Sequence, residues 1–592
     1  MTGSTLEITP RTARGVISNA EPNPPIYGST GIGTAFRRAT QPGYRAWLNH
    51  IRAAAGCTRP IRLTGAVDVV DPATGERTPG LPTAHLPDGV IYKACGNRRG
   101  TVCPSCAETY QRDAYHLLRA GMVGGKGVPY TVSVHPAVFA TLTAPSFGLV
   151  HTRAVRRHTC RDRRRCGCRP DPCHPRRDRH GEPGTCEHGQ PAVCWTRHTP
   201  DAARLGQPLC LDCYHHDHQV VWNAFAGELW RRTKQAIERH LTTLARRRGI
   251  PPVLVLTPAG TWRKASPVRV SHGKAAEFQA RGAVHFHALL RLDGVDPLDP
   301  TAVLPPPAGI GVADLTDAMH AAAAQARYMT PPHPDQPDGW PIRWGAQVDV
   351  RPIVLGGRGE VTDRMVAGYL AKYATKATEA TGHTSTRITT DTIDLHADEH
   401  GTHTARLIDA CWRLGRPTTK QHTALPQRRA ARRLGPRWRC RSCRRPTRLR
   451  ICPRCTGPTP ADTRVSNAKR DNPYARLRRW AHMLGFGGHF LTKGRRYSVT
   501  FSVLRSTRIA YRRTQDQEQA PGSIRTADHL GEETTLVVGA LTFAGIGWHT
   551  TGDALLANTA AAMARARQRA AREELAHAIG ATLTAGIALA AA

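Results

Sequence analysis

Acidic residues and long apolar segments are both scarce in this 592-residue chain. Asp and Glu number 45 against 83 Lys and Arg, which leaves a formal net charge of +38. Such an excess of positive charge favours a polyanionic partner, and nucleic acid is the default. The longest apolar run, near residues 578–592, is too short to cross a bilayer, and no signal peptide is recognisable. We therefore expect a cytoplasmic protein without membrane association.

The phosphate-binding loop of nucleotide-driven motors is also missing from the sequence. The nearest segment, residues 121–126, is one residue shorter than the G-x-x-x-x-G-K-[ST] pattern, and no Ser or Thr follows it. The sequence therefore predicts no helicase motor, and strand separation is expected to come from a host helicase.

Cysteines are numerous, at seventeen, but no export signal accompanies them, so zinc sites are expected rather than disulfides. The clearest group has the spacing C-x2-C-x8-C-x2-C: Cys440, Cys443, Cys452 and Cys455. Two such knuckles predict a zinc ribbon with four thiolate ligands. Its loop carries Arg444, Arg445 and Arg448, which we expect to contact DNA phosphates.

A second Cys- and His-rich segment, residues 158–218, has almost no periodic apolar pattern, and zinc would replace the missing apolar core. Cys210 and Cys213 form one knuckle in it. The partners of this knuckle are open among six other cysteines: Cys160, Cys166, Cys168, Cys173, Cys186 and Cys194. Three more cysteines lie before this segment: Cys95, Cys103 and Cys106. We expect them to share a zinc ion with a fourth ligand, which is either Cys57 or a residue of the segment.

Two histidines alternate along a predicted β-hairpin over residues 276–292. His285 and His287 point to the same face of the second strand, because side chains repeat every two residues in a strand. Two adjacent imidazoles can bind one divalent cation. A His-x-His pair alone is usually incidental, so this interpretation depends on the other motifs of the chain.

The third ligand of this predicted metal site depends on the turn of the hairpin. If residues 280–282 form a three-residue turn with glycine in the left-handed position, Glu277 faces His285 and supplies a carboxylate. A two-residue turn would place Phe278 opposite His285 instead. Gln279 is the alternative ligand.

Two tyrosines and two lysines alternate in a predicted helix over residues 363–378. Tyr369 and Tyr373 share a face, and Lys372 and Lys376 each follow a tyrosine by three residues. A phenol has a reference pKa of about 10, so a nearby ammonium or metal ion would help it to attack a phosphodiester. The product would be a 5′-phosphotyrosine and a free 3′-hydroxyl. The alternative is a half-buried helix face with solvated lysines.

The order of these motifs resembles that of the HUH endonucleases of rolling-circle replication. The chain is most similar to the replication initiators of actinobacterial plasmids and integrative elements. Residues 139–148, 279–289 and 369–376 resemble the three motifs of the family, and residues 479–498 are typical of the actinobacterial branch. The resemblance extends over residues 95–503.

This resemblance implies a replication initiator that nicks and rejoins one strand of origin DNA. It implies a five-stranded antiparallel sheet flanked by helices, a catalytic Mg²⁺ or Mn²⁺ on the central strands, and two tyrosines that alternate as nucleophiles. Conjugative relaxases usually carry the tyrosine near the N-terminus, whereas here it follows the histidines by about 80 residues. A relaxase or single-strand transposase, and a non-catalytic zinc-finger DNA-binding protein, are the alternatives.

We therefore expect an α+β protein with an HUH endonuclease core, a zinc-binding insert and a separate zinc ribbon. The expected segments are a loop-rich N-terminal region (1–90), a Cys-bearing segment and helix (91–135), the core (136–380) with its insert (158–218), a basic linker and zinc ribbon (381–465), and a C-terminal region with a helical tail (466–592). Within the last segment, residues 474–484 read as a helix and residues 497–503 as a strand.

Overall fold

The structure is a computed structural model. It describes residues 31–70, 77–78, 82–154, 170–175, 184–257, 259–299, 301–354, 361–376, 378–381, 386–416, 438–439, 446–447, 472–518 and 536–590.

The α-helices in these ranges are α1 (Gly31–Ala39), α2 (Tyr44–Ile51), α3 (Pro104–Val123), α4 (His216–Arg247), α5 (Val312–Gln325), α6 (Asp363–Tyr373), α7 (His403–Leu414), α8 (Arg476–Arg479), α9 (Phe501–Glu518) and α10 (Thr551–Ala590). The strands are β1 (Ile61–Val70), β2 (Arg77–Thr78), β3 (Ile91–Lys93), β4 (Ala137–Leu142), β5 (Val253–Leu256), β6 (Trp262–Ala265), β7 (Val268–Phe278), β8 (Val284–Gly294), β9 (Arg327–Met329), β10 (Pro341–Arg343), β11 (Val348–Pro352), β12 (Trp438–Arg439), β13 (Pro446–Thr447), β14 (Leu491–Lys493) and β15 (Leu536–Ile546). None of these helices is both long and apolar enough to cross a membrane.

The chain folds into two units. One unit consists of Met1–Asn97, Val102–Cys106 and Arg525–Ala592, and the other of Arg98–Thr101 and Ala107–Ile524.

The first unit joins segments from both ends of the sequence. Its longest strands, β1 and β15, pair in antiparallel fashion from Ile61 opposite Ile546 to Val70 opposite Leu536. Trp47 of α2 packs in a small apolar core with Ala557 of α10. The sequence led us to expect a loop-rich region over residues 1–90, but from residue 31 onwards it contains two helices and a ten-residue strand.

The second unit contains a five-stranded sheet in the order β11-β4-β8-β7-β14, in which every neighbouring pair is antiparallel. Side chains of β8 alternate between the two faces. Phe286 and Leu290 pack in the larger core with α4 and α5, whereas Leu289 packs with Leu118 of α3 and Leu370 of α6. An α+β architecture with an antiparallel sheet is therefore confirmed.

The segment after residue 485 departs from the sequence prediction. The fifth strand of the sheet is β14, so the sheet extends beyond the boundary at residue 380 that the sequence suggested. Residues 497–503, predicted to be a strand, instead lead into α9. Tyr497 is fully buried and donates a hydrogen bond to the Leu118 carbonyl, and the Thr500 hydroxyl accepts the Val503 N–H at 3.2 Å. That capping bond starts a helix, and the alternating pattern alone could not reveal it.

The predicted helix over residues 474–484 is also shorter than expected. It consists of α8, of four residues, and a 3-10 turn over Ala481–Met483. Leu484 then takes a left-handed conformation (φ 49°), which ends the helical path.

Candidate active site

The turn of the β7–β8 hairpin fixes which side chains meet across the two strands. The Gln279 N–H donates to the Ala283 carbonyl at 2.9 Å, and Gly282 takes φ 78°, so residues 280–282 form a three-residue turn. Glu277 therefore lies directly opposite His285. The two-residue turn, which would have placed Phe278 there, does not occur.

Three side chains of this hairpin converge on one point. Glu277 Oε2 lies 3.1 Å from His285 Nε2 and 3.3 Å from His287 Nε2, and the two imidazole nitrogens are 2.7 Å apart. Two imidazole nitrogens and a carboxylate oxygen this close need a shared cation or proton between them, since lone pairs repel at such distances. These three side chains could hold a metal ion.

Side chains on the neighbouring strand hold His287 in place. Thr141 Oγ1 of β4 lies 3.0 Å from His287 Nδ1, and the ring of Phe139 stacks on the imidazole with centroids 5.8 Å apart. When His287 Nδ1–H donates to Thr141, the Nε2 atom keeps its lone pair toward Glu277. The orientation of this ligand is thus set from β4.

Burial also favours the unprotonated imidazole. It lowers the pKa of His287, which is almost completely buried. Burial opposes ionisation of Glu277, but hydrogen bonds with His285 and His287 outweigh it, and the pKa of the carboxyl is lowered. A carboxylate with neutral imidazoles is the protonation state that binds a cation.

Helix α6 carries the two tyrosines to this cluster. The Thr362 hydroxyl caps its first turn by accepting the Met365 N–H. Val366 and Leu370, four residues apart, bury one face of the helix against the sheet and α3. The adjacent face then presents Tyr369 to the cluster of Glu277, His285 and His287.

The Tyr369 hydroxyl lies 3.3 Å from His287 Nε2. The rings of Tyr369 and Tyr373 have centroids 4.5 Å apart, and Tyr369 is 38% exposed. Burial raises the pKa of Tyr369, and Tyr373 and Glu277 raise it further. Burial likewise raises the pKa of Tyr373.

The two lysines of the motif lie beside Tyr373. Lys376 Nζ is 4.8 Å and Lys372 Nζ is 6.0 Å from the centre of its ring, and both side chains are exposed. Helix α6 ends at Tyr373, five residues before the predicted end, so Lys376 lies in the turn that follows it.

Comparison with known proteins identifies the family. Residues 43–562 match the family described as "Replication initiator protein, pSAM2" (RepSA). The chain belongs to this family of replication initiators. A replication initiator protein of Streptomyces ambofaciens is 38% identical over 551 residues, which cover 92% of this chain and 95% of that protein. No solved structure matches the chain significantly.

Among the described residues of this initiator, three further groups of Cys and His could hold metal ions, and in each the possible ligand atoms lie within 4.8 Å of one another. The first completes the trio that had no assigned fourth ligand: Cys57, Cys95, Cys103 and Cys106. Its Sγ separations are 3.6 Å between Cys95 and Cys106 and 3.8 Å between Cys57 and Cys103. Among the described residues, Cys57 is thus the side chain that joins the other three cysteines in this group.

The ligand atoms of the other two groups come from the insert, except for His151, which lies just before it. Cys210 and Cys213 meet Cys186 and His188. Another group consists of His151, Cys173, Cys194 and His198. The expected ribbon cysteines Cys440, Cys443, Cys452 and Cys455, and the expected DNA-binding Arg444, Arg445 and Arg448, lie outside the described residues.

Several residues of these sites were not singled out in the sequence. His188 follows Cys186 by two residues and His198 follows Cys194 by four, and these short Cys-to-His spacings were a usable signal. Thr141 gave no comparable signal as a partner of His287, because that contact arises only when β4 pairs with β8.

Arg98 was also missed, and it lies at the end of the tyrosine helix. Its guanidinium donates to the carbonyls of Ala374 at 2.9 Å and Lys376 at 2.6 Å. It also stacks on the ring of Phe490 at 3.9 Å from the centroid. Arg98 therefore satisfies carbonyls that the helix leaves free and ties the helix end to the segment before β14.

Proposed function

We propose that this initiator starts rolling-circle replication by nicking one strand of origin DNA through a tyrosine nucleophile of an HUH-type site. The observation that carries the proposal is the 3.3 Å approach of the Tyr369 hydroxyl to His287 Nε2. A nucleophile and a set of metal ligands at one point suit attack on a phosphodiester. The family membership and the net charge of +38 support origin DNA as the substrate.

In this proposal Glu277, His285 and His287 hold a Mg²⁺ or Mn²⁺ ion. When bound, the ion would polarise the scissile phosphate and lower the pKa of a nearby phenol. The ligands suit this task, since a carboxylate and two neutral imidazoles leave coordination positions open for substrate oxygens.

The tyrosine oxygen attacks the phosphorus, and the bond from phosphorus to the 3′ oxygen breaks. The phenol loses its proton, and the released 3′ oxygen takes up a proton to become a hydroxyl. The 5′ phosphate stays on the tyrosine. Because burial raises the pKa of Tyr369, positive charge near the hydroxyl is required for attack near neutral pH. Lys372 and Lys376, beside Tyr373, supply such charge for the second tyrosine.

The second tyrosine gives the site a means to cut twice. After Tyr369 has been joined to DNA, the hydroxyl of Tyr373, one helical turn away, can attack a second phosphodiester, and the released 3′-hydroxyl can reseal the first. Strand separation between the two cuts is assigned to a host helicase. The two paired tyrosines thus match a cycle of initiation and termination.

A supercoiled plasmid that carries the origin tests the proposal directly. Incubation with the full-length protein and Mn²⁺ should yield open circles with protein attached at the 5′ end. The double variant Tyr369→Phe/Tyr373→Phe should bind the origin normally but leave the plasmid supercoiled. If this variant still nicks, the tyrosine mechanism is wrong. If the wild-type protein binds without cutting, the non-catalytic DNA-binding function replaces it.

A further inference from the structure

Eight Cys and His side chains, seven in the insert and His151 just before it, alternate between two groups along the chain. They fall into four pairs in sequence order: His151 and Cys173, Cys186 and His188, Cys194 and His198, Cys210 and Cys213. The first and third pairs converge on one point, and the second and fourth pairs on another. The chain segment between the two pairs of one group therefore contains a pair of the other group.

The spacing of the ligand atoms matches a tetrahedral zinc site. Bond lengths of about 2.0 Å to nitrogen and 2.3 Å to sulfur imply about 3.3 Å between two nitrogens and about 3.5 Å between nitrogen and sulfur. In the first group, His151 Nδ1 and His198 Nε2 are 3.2 Å apart. The Cys194 Sγ–His198 Nε2 and Cys173 Sγ–His151 Nδ1 distances are 3.6 Å and 3.8 Å.

The ligand atoms of the second group are also close enough to share one ion. His188 Nδ1 lies 3.2 Å from Cys213 Sγ, and Cys210 is buried. A turn brings Cys186 and His188 of this group together: the Gly189 N–H donates to the Cys186 carbonyl at 2.9 Å, and Gly189 takes φ 70°. Both groups contain only sulfur and imidazole nitrogen, a donor set that favours zinc over the oxygen-binding Mg²⁺ and Ca²⁺.

Apolar packing does not explain the fold of this region. None of the described residues 170–175 and 184–209 belongs to an apolar core cluster of the structure. Its backbone is nevertheless ordered by paired hydrogen bonds, such as those exchanged by His174 and Cys194 at 2.8 Å. The Thr152 N–H also donates to Cys173 Sγ at 3.1 Å, and such a hydrogen bond would stabilise a metal-bound thiolate.

We propose that the insert is a cross-braced module with two zinc ions, one held by the first and third ligand pairs and the other by the second and fourth. The donor sets are Cys2His2 and Cys3His. Because the loops that close one site contain ligands of the other, loss of either ion loosens both sites, and the two ions are bound cooperatively.

Cysteine alkylation of the zinc-loaded full-length protein tests this pairing without any mutation. The cysteines that the proposal assigns are only partly buried apart from Cys210, so without an ion they would react with iodoacetamide. We expect them to be protected with zinc and to lose protection at one common concentration of chelator. The assigned cysteines are Cys173, Cys186, Cys194, Cys210 and Cys213. Rapid alkylation in the zinc-loaded protein would overturn the sites, and two separate chelator midpoints would overturn the cross-brace.

Variants separate this pairing from the alternatives in the insert. His188→Ala should expose Cys194 as well as Cys213 to alkylation, because the sites are coupled, whereas His188→Cys should restore protection with a sulfur ligand. Replacement of Cys160, Cys166 and Cys168 by Ser should leave the assigned cysteines protected. If this triple variant exposes Cys210 and Cys213 to alkylation, the replaced cysteines are the true partners of Cys210 and Cys213, and the proposed pairing is wrong.

Discussion

Tyr369 and His287, 82 residues apart in the sequence, meet at 3.3 Å between the phenolic oxygen and Nε2. The ring of Tyr369 is also nearer to the imidazole than that of Tyr373, with centroid distances of 4.9 Å and 6.0 Å. The proposed nucleophile therefore lies beside the side chains that could hold a metal ion. The two tyrosines differ in their distance from His287.

We predict that Tyr369 makes the first cut. Tyr369→Phe should lower the initial nicking of supercoiled origin plasmid by more than about 100-fold, because it removes the hydroxyl that lies 3.3 Å from His287 Nε2. Tyr373→Phe should slow the first cut by less than about 10-fold but block transfer to a second strand. Tyr130→Phe, which alters an exposed tyrosine, is the control. Equal loss in both single variants would contradict this order.

Thr141 is predicted to tune metal affinity without taking part in the reaction. Thr141→Val removes the 3.0 Å partner of His287 Nδ1 and frees the imidazole to rotate. The Mn²⁺ concentration for half-maximal nicking should rise about 10- to 100-fold, with the maximal rate recovered at high Mn²⁺. Thr141→Ser keeps the hydroxyl and should behave like the wild type. An unchanged metal dependence in Thr141→Val would refute the role of this contact.

Arg98 is predicted to position the tyrosine helix. Arg98→Ala leaves the Ala374 and Lys376 carbonyls without their donor, so the nicking rate should fall about 10-fold or more while origin binding and the Mn²⁺ midpoint stay unchanged. Arg98→Lys should recover part of the rate, since it restores one donor. Arg112→Ala, which removes a surface ion pair with Glu108, serves as control. A parallel loss of DNA binding would show that Arg98 acts on the substrate instead.

Lys274 is predicted to make stability depend on pH. It is buried against the Phe286 ring at 3.6 Å, and none of the ion pairs among the described residues includes it. Burial lowers its pKa to about 7, from an ordinary value near 10.5. Below about pH 7 both folded and unfolded chains carry the proton, so the full cost of burying the charge is present. Between pH 7 and 10.5 the folded state is neutral and the unfolded state charged, so stability rises with pH.

Lys274→Met should therefore stabilise the second unit most at low pH. The shift corresponds to about 5 kcal/mol at pH 6 and about 2 kcal/mol at pH 9, both as upper values. Thermal unfolding of the variant and wild type at these two pH values measures the difference. Lys264→Met, at an exposed lysine of β6, should show no such pH dependence. An advantage of the same size at both pH values would mean that Lys274 is not a charged group buried at cost.

Local spacing in the sequence determined the parts of the site that lie within single elements. The two-residue period of a strand placed His285 and His287 on one face, and the helical period put Tyr369 and Tyr373 together. Both are short-range consequences of backbone geometry, so one sequence sufficed to predict them. The register of the hairpin was not predicted in this way. The sequence left a two-residue and a three-residue turn open, and the structure, with Gly282 in the left-handed conformation, places Glu277 opposite His285.

Only the tertiary structure decided which distant segments meet. The pairing of β1 with β15, the addition of β14 to the central sheet, and the contact of Arg98 with the end of α6 each join residues far apart in the chain. Such contacts depend on how whole helices and strands bury their apolar faces. The spacing of residues in the sequence does not show which of these faces will pack together. The Cys and His groups of the insert follow the same rule, because the sequence allowed any cysteine to join any other until the fold brought four donor atoms within 4.8 Å of one another.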